Sequence, residues 1–398
     1  MKILWIGVEI GPETREKMLS AGGQIRSAQV SEHNLLSGMK AAVDDIDTIN
    51  GPLLSNSIFP VVPEEKWADE ISKSHIQVGY KNAEYVNRLN KEKALCGQAV
   101  RWAEENKNAS DVKVIVYSMH APFLAAAKTV KKNIPGAQIV LIVPDLPQYM
   151  DLKKNALKKI LKSTDWLRIK ALLKYVDQYV LYTEHMASFL KLDREKWLLM
   201  EGSYDTELSG ERTEEPDGKH SVMYSGVLDL RYGIPELLDA MKYLDDSFEL
   251  WLTGNGNARE LIEKTAEKDG RIKYLGFLPT RKDLLDKQAS ATMLVNPRKD
   301  TEEASKYCFP SKILEYMASG RPVLSCYLPG IPEEYRPYLV EIKSITAENI
   351  ADSILKASKL TDEQLREMGE AAKQFVAQNK NKYAQAARII SFMNKAKG

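Results

Sequence analysis

A lysine and a glutamate stand three residues apart at the start of a predicted helix, within the stretch FPSKILEYMASGRPVLS that runs from 309 to 325. Lys312 and Glu315 lie in its first turn, where backbone N–H groups and the helix dipole favour a bound anion. Ser311 precedes the helix, and its side chain is expected to cap it. The pattern predicts a helix that holds a phosphorylated ligand, and an ordinary helix of an α/β domain carries the same local signature.

Four other loops in the second half of the chain follow predicted strands and contain glycine, asparagine or arginine. They contain Ser225-Gly226, Gly254-Asn255-Gly256, Gly276-Phe277-Leu278-Pro279 and Asn296-Pro297-Arg298. Parallel sheets bind ligands beyond the carboxyl ends of their strands, and glycine there permits close backbone approach. Arg231 in the first loop is suited to bidentate binding of a phosphate. Each loop alone also fits an ordinary strand-to-helix turn, so the order of all four carries the prediction.

Two polar residues take equivalent positions in the first half of the chain. His120 follows the strand VKVIVY and Asp145 follows the strand QIVLIV. Both are expected at the carboxyl edge of a sheet, where they can contact a sugar or an acceptor. A structural histidine in the core or a loop fits His120 equally well.

Alternating strands and helices must position these residues. The strands are nearly continuous apolar runs, which predicts parallel sheets covered by helices on both faces. A first strand, residues 2–8, leads into a loop without a helix up to Ser27, and residues 47–49 and 58–62 are further short strands. The polar, glycine-marked segment between Gly202 and His220 predicts a connection between two α/β domains.

Composition excludes several classes of protein. The 56 basic and 55 acidic residues nearly balance, which argues against a dedicated nucleic-acid binder. No apolar run is long enough to cross a bilayer, and the opening MKILWIGVEIG fits a strand better than a signal peptide. The three cysteines lack metal-site spacing. A cytoplasmic protein is expected.

The segment from 152 to 174 is strongly basic, with eight lysines and arginines against one acidic residue, Asp165. Leucine, isoleucine and tryptophan are interspersed. A basic amphipathic helix of this kind can lie on an anionic membrane surface. A solvated charged face on a helix of the core has the same composition.

The motifs together resemble retaining glycosyltransferases of family 4. The resemblance rests on YSGVLDLRYGI at 224–234, the three loops that follow it, and KILEYMASGRPVLS at 312–325. In the first half, Gly22-Gly23 matches the family's glycine loop, and YSMHAP and VPDLP resemble its sugar-polymer branch. The family resemblance covers essentially the whole chain and is most specific in the C-terminal half.

The family resemblance implies an α/β fold of GT-B type, with two Rossmann-like domains facing across a cleft. Residues 1–203, completed by a C-terminal helix at 380–398, would bind the acceptor, and residues 204–379 would bind a nucleotide sugar. Transfer would retain the anomeric configuration. Cell-surface polysaccharide or glycan assembly in a bacterium is the implied pathway.

Site residues carry over unevenly from the family. Glu315 matches the glutamate that holds the ribose hydroxyls, whereas Tyr307 stands where the family has its first glutamate. Glu302 and Glu303 lie too far upstream to align with it without a gap, which leaves Tyr307, Cys308 or a backbone amide to serve in its place. Arg231 falls one residue before the usual lysine, and Lys312 is expected to supply the missing charge. The expected catalytic residues are His120, Tyr307, Arg231 and Lys312. The expected donor contacts are Gly22, Gly23, Gly226, Arg231, Gly254, Asn255, Phe277, Pro310, Ser311, Lys312, Ile313 and Glu315, and the acceptor contacts are His120 and Asp145.

The implied ligands are a UDP-, GDP- or dTDP-linked sugar and a glycan or lipid-linked acceptor, with no cofactor and no metal. Asp45-Ile46-Asp47 spells the metal signature of another glycosyltransferase fold, but it fits a solvated turn entering a short strand. Two alternatives stay open. One is a nucleotide-sugar epimerase of the same architecture, and the other is a non-catalytic nucleotide-sugar-binding protein, which Tyr307 at the glutamate position favours.

Overall fold

The computed structural model describes residues 1–84, 86–149, 156–211, 218–300 and 303–395, without the side chains of 156–162. The chain divides into two compact units. Unit 1 comprises Met1–Ser203 and Lys382–Gly398, and unit 2 comprises Tyr204–Asn381. The boundary after Ser203 lies inside the segment predicted to connect two domains, and the return to unit 1 begins at Lys382.

Unit 1 is built on an eight-stranded sheet with the order β10-β9-β8-β7-β1-β2-β5-β4. All neighbouring strands are parallel except β4 and β5. The central strands are buried along their length, as their apolar runs predict. The strands of unit 1 are β1 Lys2–Gly7, β2 Ile46–Asn50, β3 Val61–Val62, β4 Glu65–Trp67, β5 Ser74–Gln77, β6 Tyr80–Lys81, β7 Val112–Tyr117, β8 Gln138–Val143, β9 Gln178–Leu181 and β10 Trp197–Leu199, of which β3 and β6 form a separate antiparallel pair.

Helices connect these strands. They are α1 Pro12–Ser20, α2 Ser27–Lys40, α3 Asn87–Glu105, α4 Ala121–Asn133, α5 Ala156–Leu173 and α6 Glu184–Leu190. Helix α1 was not expected, because Gly11-Pro12 suggested a loop; proline in the first turn in fact begins the helix without a lost hydrogen bond. No helix in the described part of the chain is long and apolar enough to cross a membrane.

Unit 2 is built on a six-stranded parallel sheet with the order β13-β12-β11-β14-β15-β16. Its core lies between the sheet and the helices, with Val222, Leu250 and Ile350 completely buried. Side chains cap two helix starts in reciprocal pairs, Thr280 with Asp283 and Thr361 with Gln364. The elements are β11 His220–Val227, α7 Ile234–Ala240, β12 Phe248–Asn255, α8 Arg259–Ala266, β13 Ile272–Tyr274, α9 Arg281–Ser290, β14 Met293–Asn296, α10 Lys312–Ala318, β15 Val323–Ser325, β16 Leu339–Glu341, α11 Ala347–Ser358 and α12 Asp362–Phe375.

The last helix, α13 Lys382–Lys395, returns to unit 1 and packs against α2. A wide helical turn at Val376–Lys380 separates it from α12. The chain therefore leaves unit 2 directly after this turn.

Candidate functional site

Two glycines bring strands β11 and β12 together at the carboxyl edge of the unit 2 sheet. Gly226 and Gly254 are paired in register and have φ values of 127° and 131°, in the region that only glycine adopts readily. A Cβ on Gly254 would overlap the carbonyl oxygen of Gly226, and a Cβ on Gly226 would overlap the ammonium of Lys312. The two glycines therefore leave the space that the Lys312 head group occupies.

Lys312, the first residue of α10, extends over the end of β11. Its Nζ donates to the Tyr224 hydroxyl at 2.6 Å and lies 4.0 Å from the centre of that ring. Burial lowers the pKa of Lys312 to about 7; nearby Glu315 opposes this change and Arg298 adds to it. An anion that binds beside this lysine raises its pKa and so favours the protonated, positively charged form.

A second cation, Arg298, stands next to Lys312 after strand β14. It is close enough to lower the pKa of Lys312, and its guanidinium lies 5.5 Å from the ring centre of Tyr232. The sequence marked this loop as a strand end but did not assign Arg298 to the site. Lys312 and Arg298 together suit a diphosphate, because two fixed cations can share its charge.

Arg231 is less available than the sequence suggested. Its guanidinium pairs with Asp229 of the same turn, at 2.9 Å from Nε and 2.8 Å from Nη2, and its side chain is half exposed. This pairing helps to lower the pKa of Asp229 to about 2. A ligand phosphate would have to compete with a carboxylate that already holds the arginine bidentately.

Glu315 is held in a fixed position by two residues of helix α9. Its Oε1 accepts from Gln288 Nε2 at 2.6 Å, and its Oε2 lies 2.6 Å from Arg281 Nη2. About a sixth of the side chain is exposed. The carboxylate oxygens each retain a further lone pair, so ribose hydroxyls can bind while Arg281 stays in place.

A buried network beneath Glu315 fixes the end of strand β11. Gln288 also donates to Ser225 Oγ at 2.8 Å. The Tyr316 hydroxyl accepts from the Ser225 amide at 2.9 Å and donates to the Ser225 carbonyl at 3.1 Å. Gln288 and Tyr316 are fully buried. They keep the strand end and helix α10 at a constant separation, which sets the distance between Gly226 and Glu315.

The approach to α10 differs from the expected cap. Ser311 is exposed and has helical backbone angles, and its side chain makes no capping hydrogen bond, so the prediction of a serine cap is wrong. Ile313 is completely buried and its amide donates to the Pro310 carbonyl, so it offers no free polar group to a ligand. Tyr307 ends a 3-10 turn at Glu303–Tyr307 and is half-buried. Glu302 lies outside the described residues.

The remaining donor loops of unit 2 are tied to one another. The Gly276 carbonyl accepts from the Gly254 amide at 2.9 Å and from Thr253 Oγ1 at 2.7 Å. The Asn255 side chain accepts from the next amide in the chain at 2.9 Å. Phe277 is 69% exposed, which leaves an aromatic face open beside these loops.

In unit 1, Gly22 and Gly23 terminate helix α1. Gly22 has a φ of 77°. Its amide donates to the Leu19 carbonyl, and the Gly23 amide donates to the Met18 carbonyl. These two hydrogen bonds form a Schellman motif, which ends the helix. The glycine pair therefore has a structural role that the sequence comparison with the family did not suggest. Its role as a donor contact stays a prediction.

His120 and Asp145 lie in unit 1, after strands β7 and β8 as predicted. The His120 ring packs edge-on against Phe123, with 5.6 Å between ring centres. Burial, then Lys91 and Arg88, lower the pKa of His120 to about 4, so it is neutral at pH 7. Asp145 is half-buried and lies near the buried hydroxyls of Tyr117 and Tyr182, whose pKa values it helps to raise.

Sequence reasoning missed a buried acid on helix α2 of unit 1. Glu32 is completely buried and accepts from Trp5 Nε1 at 2.7 Å and from the Val8 amide at 2.9 Å. Burial, and then the neighbouring Glu9, raise its pKa well above the usual range. The only sequence signal was an acidic residue within a helix whose later inward positions, such as Leu35, Leu36 and Met39, are apolar.

The Asp45-Ile46-Asp47 triplet is engaged in pairing with a lysine. Lys2 Nζ lies 2.5 Å from Asp45 and 2.7 Å from Asp47, and Asp47 also accepts from Trp102 Nε1 at 2.8 Å. Within the described ranges no group of three or more histidine, cysteine or acidic side chains is arranged to hold a metal ion.

The basic segment predicted to meet a membrane falls only partly within the described residues, because 152–155 lie outside them. Further along α5, Arg168 pairs with Glu92 at 2.6 Å, and Asp165 pairs with Arg88 at 2.8 Å. Trp166 is half-buried and contacts Phe189, with ring centres 5.9 Å apart. These side chains are thus occupied within unit 1, whereas Leu167 is 65% exposed.

Residues 219–359 match a family model described as glycosyl transferases group 1. No characterised protein matches the chain significantly by sequence.

Solved structures resemble the chain over its whole length. Anabaena Alr3699/HepE in complex with UDP aligns with a TM-score of 0.66 at 12% identity, covering 99% of this chain and 100% of that one. The lipopolysaccharide outer core galactosyltransferase WaaB aligns with a TM-score of 0.67 at 12% identity, covering 100% of both chains. Sucrose-phosphate synthase from Thermosynechococcus elongatus aligns at 0.65 and 14% identity, covering 100% of this chain and 99% of that one. At these identities the likeness establishes the fold, which is GT-B, with two Rossmann-like α/β units.

Proposed function

We propose that this protein is a glycosyltransferase that moves a sugar from a nucleotide-sugar donor to a glycan or lipid-linked acceptor. The observation that carries the proposal is the placement of Lys312 beside Gly226, with Arg298 and Glu315 close to it, at the carboxyl edge of the unit 2 sheet. The family match over residues 219–359 supports it. So do structural neighbours described in complex with UDP and with UDP-glucose.

In this proposal the charges of unit 2 stabilise the leaving group. The nucleoside diphosphate gains negative charge as the sugar departs, and Lys312 and Arg298 face it with fixed positive charge. Glu315 binds the ribose hydroxyls. Tyr307 takes the place of the family's first glutamate beside the donor sugar, and transfer retains the anomeric configuration, as the family resemblance implies.

The acceptor side of the proposal rests on unit 1. His120, neutral at pH 7, and Asp145 contact the sugar or the acceptor. The pathway is bacterial cell-surface polysaccharide synthesis, in the cytoplasm or at the inner face of the plasma membrane. Helix α5, with the exposed Leu167, is the part of unit 1 that would meet an anionic lipid surface.

The first experiment measures donor binding and product formation. Thermal shifts with UDP-, GDP- and dTDP-linked sugars identify the donor, since a ligand at a hundred times its dissociation constant stabilises by about 2.7 kcal/mol. Labelled donor is then incubated with and without lipid-linked and free glycan acceptors. Transfer to an acceptor is expected. Conversion of the donor sugar without acceptor would identify an epimerase, and binding without any conversion would identify a non-catalytic binder.

We also expect transfer to continue when divalent ions are removed. The physical reason is that Lys312 and Arg298 supply the positive charge that a metal would otherwise bring to the diphosphate. Initial rates in EDTA should equal those in magnesium at the same ionic strength. Activity that EDTA abolishes and a divalent ion restores would overturn this expectation without affecting the assignment as a transferase.

A further inference from the structure

A group of basic side chains, which we call the unit 1 cation cluster, lies within unit 1. It consists of Lys91, His120, Arg88 and Arg26. Lys91 is 9% exposed, and its Nζ donates to the carbonyls of Gly51 at 3.1 Å and Pro52 at 3.0 Å. These carbonyls follow strand β2, so a buried ammonium is held at the carboxyl edge of the sheet.

Close packing joins Lys91 to His120. A Cβ built on Gly51 would lie 3.1 Å from both the Lys91 side chain and the Phe123 ring. The Lys91 side chain and the Phe123 ring therefore both pack close to the backbone of Gly51. Phe123 in turn packs edge-on against the His120 ring. Phe123 is therefore a common neighbour of Lys91 and His120. Lys91 is also close enough to lower the pKa of His120.

The charge of this cluster is poorly balanced within the described part of unit 1. Arg88 pairs with Asp165 at 2.8 Å. Among the described residues, neither Arg26 nor His120 has an ion pair, and the His120 ring has no hydrogen-bond partner. Burial, then Arg88 and Arg26, lower the pKa of Lys91 to about 7. A positive charge on the buried Lys91 beside these two arginines is therefore costly, and a bound anion lowers that cost.

We propose that Lys91 and His120, with the exposed Arg88 and Arg26, form an anion-binding site of unit 1 that receives a phosphate or carboxylate group of the acceptor. The assignment to the acceptor rests on the proposed function, whereas the anion site itself does not. Lys91 provides a charge-assisted hydrogen bond from a fixed position, and His120 becomes a second donor when the anion favours its protonation. The substrate class is therefore an acidic acceptor, such as a sugar phosphate or a uronic acid.

The test measures binding of small probes by calorimetry with no donor present. Glucose 6-phosphate, glucuronate and glucose differ only in the acidic group, and the first two separate phosphate from carboxylate as the source of the anion. We expect at least one acidic probe to bind more tightly than glucose. Lys91→Met and His120→Gln should each weaken that binding by about tenfold or more, as loss of a charge-assisted hydrogen bond does. Lys93→Met, at an exposed lysine of the same helix, should leave it unchanged.

An additional variant and a UDP titration distinguish the anion site from a folding defect and from donor binding. Arg88→Gln changes an exposed residue, so its weaker binding would support the site even if Lys91→Met failed to fold. UDP is titrated against the same variants, because a nucleotide diphosphate offers the same chemistry. An equal loss of UDP affinity would assign the cluster to the donor and overturn the acceptor assignment, and acidic probes that bind no better than glucose would overturn the anion site. Acidic-probe binding without any transfer reaction would instead count against the proposed function alone.

Discussion

Lys312→Met should remove most of the proposed transferase activity and leave the fold intact. Methionine keeps the length and the apolar stem of the side chain but loses the ammonium that lies over strand β11. Tyr224 still donates to the Val227 carbonyl at 2.8 Å, so no buried hydroxyl is left without a partner. Loss of one preorganised donor at a developing anion typically costs about 3–4 kcal/mol, or roughly a hundred- to a thousandfold in kcat.

The pH dependence of nucleotide binding gives a second measure of the same residue. With a pKa of about 7 in the unliganded protein, Lys312 is mostly charged below pH 7 and mostly neutral above it. A bound diphosphate raises that pKa, so binding takes up a proton. The affinity should therefore fall as pH rises above 7, by up to about tenfold per unit. In Lys312→Met this part of the dependence should disappear, and only the titration of the nucleotide itself should remain.

The matched control is Lys268→Met, because Lys268 is an exposed lysine that follows helix α8. Its kcat/KM and nucleotide affinity should equal those of the unmodified protein. Lys312→Met with unchanged nucleotide affinity and unchanged kcat would remove Lys312 from the site. It would also leave Arg298 as the residue that faces the diphosphate.

Lys312 and Glu315 could be predicted because the information is local. A strand end, a proline, a helix start and two charged residues lie within a few positions of one another, and the backbone geometry of that segment follows from them. The partners of Glu315 could not be predicted in this way. Arg281 and Gln288 belong to helix α9, and only the packing of α9 against α10 brings them to the carboxylate.

Neighbouring residues in the sequence explain why Arg231, Gly22 and Gly23 have structural roles in addition to the ligand contacts predicted for them. Arg231 is a residue type that suits a phosphate, but Asp229, two residues earlier, offers a carboxylate within hydrogen-bonding distance. The Arg231 guanidinium donates to that carboxylate within the turn. Gly22 and Gly23 matched a ligand loop, but the preceding residues form helix α1, which needs a left-handed residue to end it. A residue type that suits a ligand also suits the backbone, and sequence spacing alone does not separate the two uses.

Gly254→Ala should destabilise unit 2 severely. At a φ of 131° a Cβ is strained, and it would overlap the backbone carbonyl of Gly226, which has no flexible side chain to move aside. We expect the free energy of unfolding to fall by at least about 2–3 kcal/mol, measured by urea denaturation. Gly270→Ala is the matched control, because its Cβ would meet no atom within 4 Å, and its stability should be unchanged or slightly higher. If the two variants unfolded at the same urea concentration, strands β11 and β12 could not lie as close together at Gly226 and Gly254 as in this structure. The site would then need a different arrangement of its two strand ends.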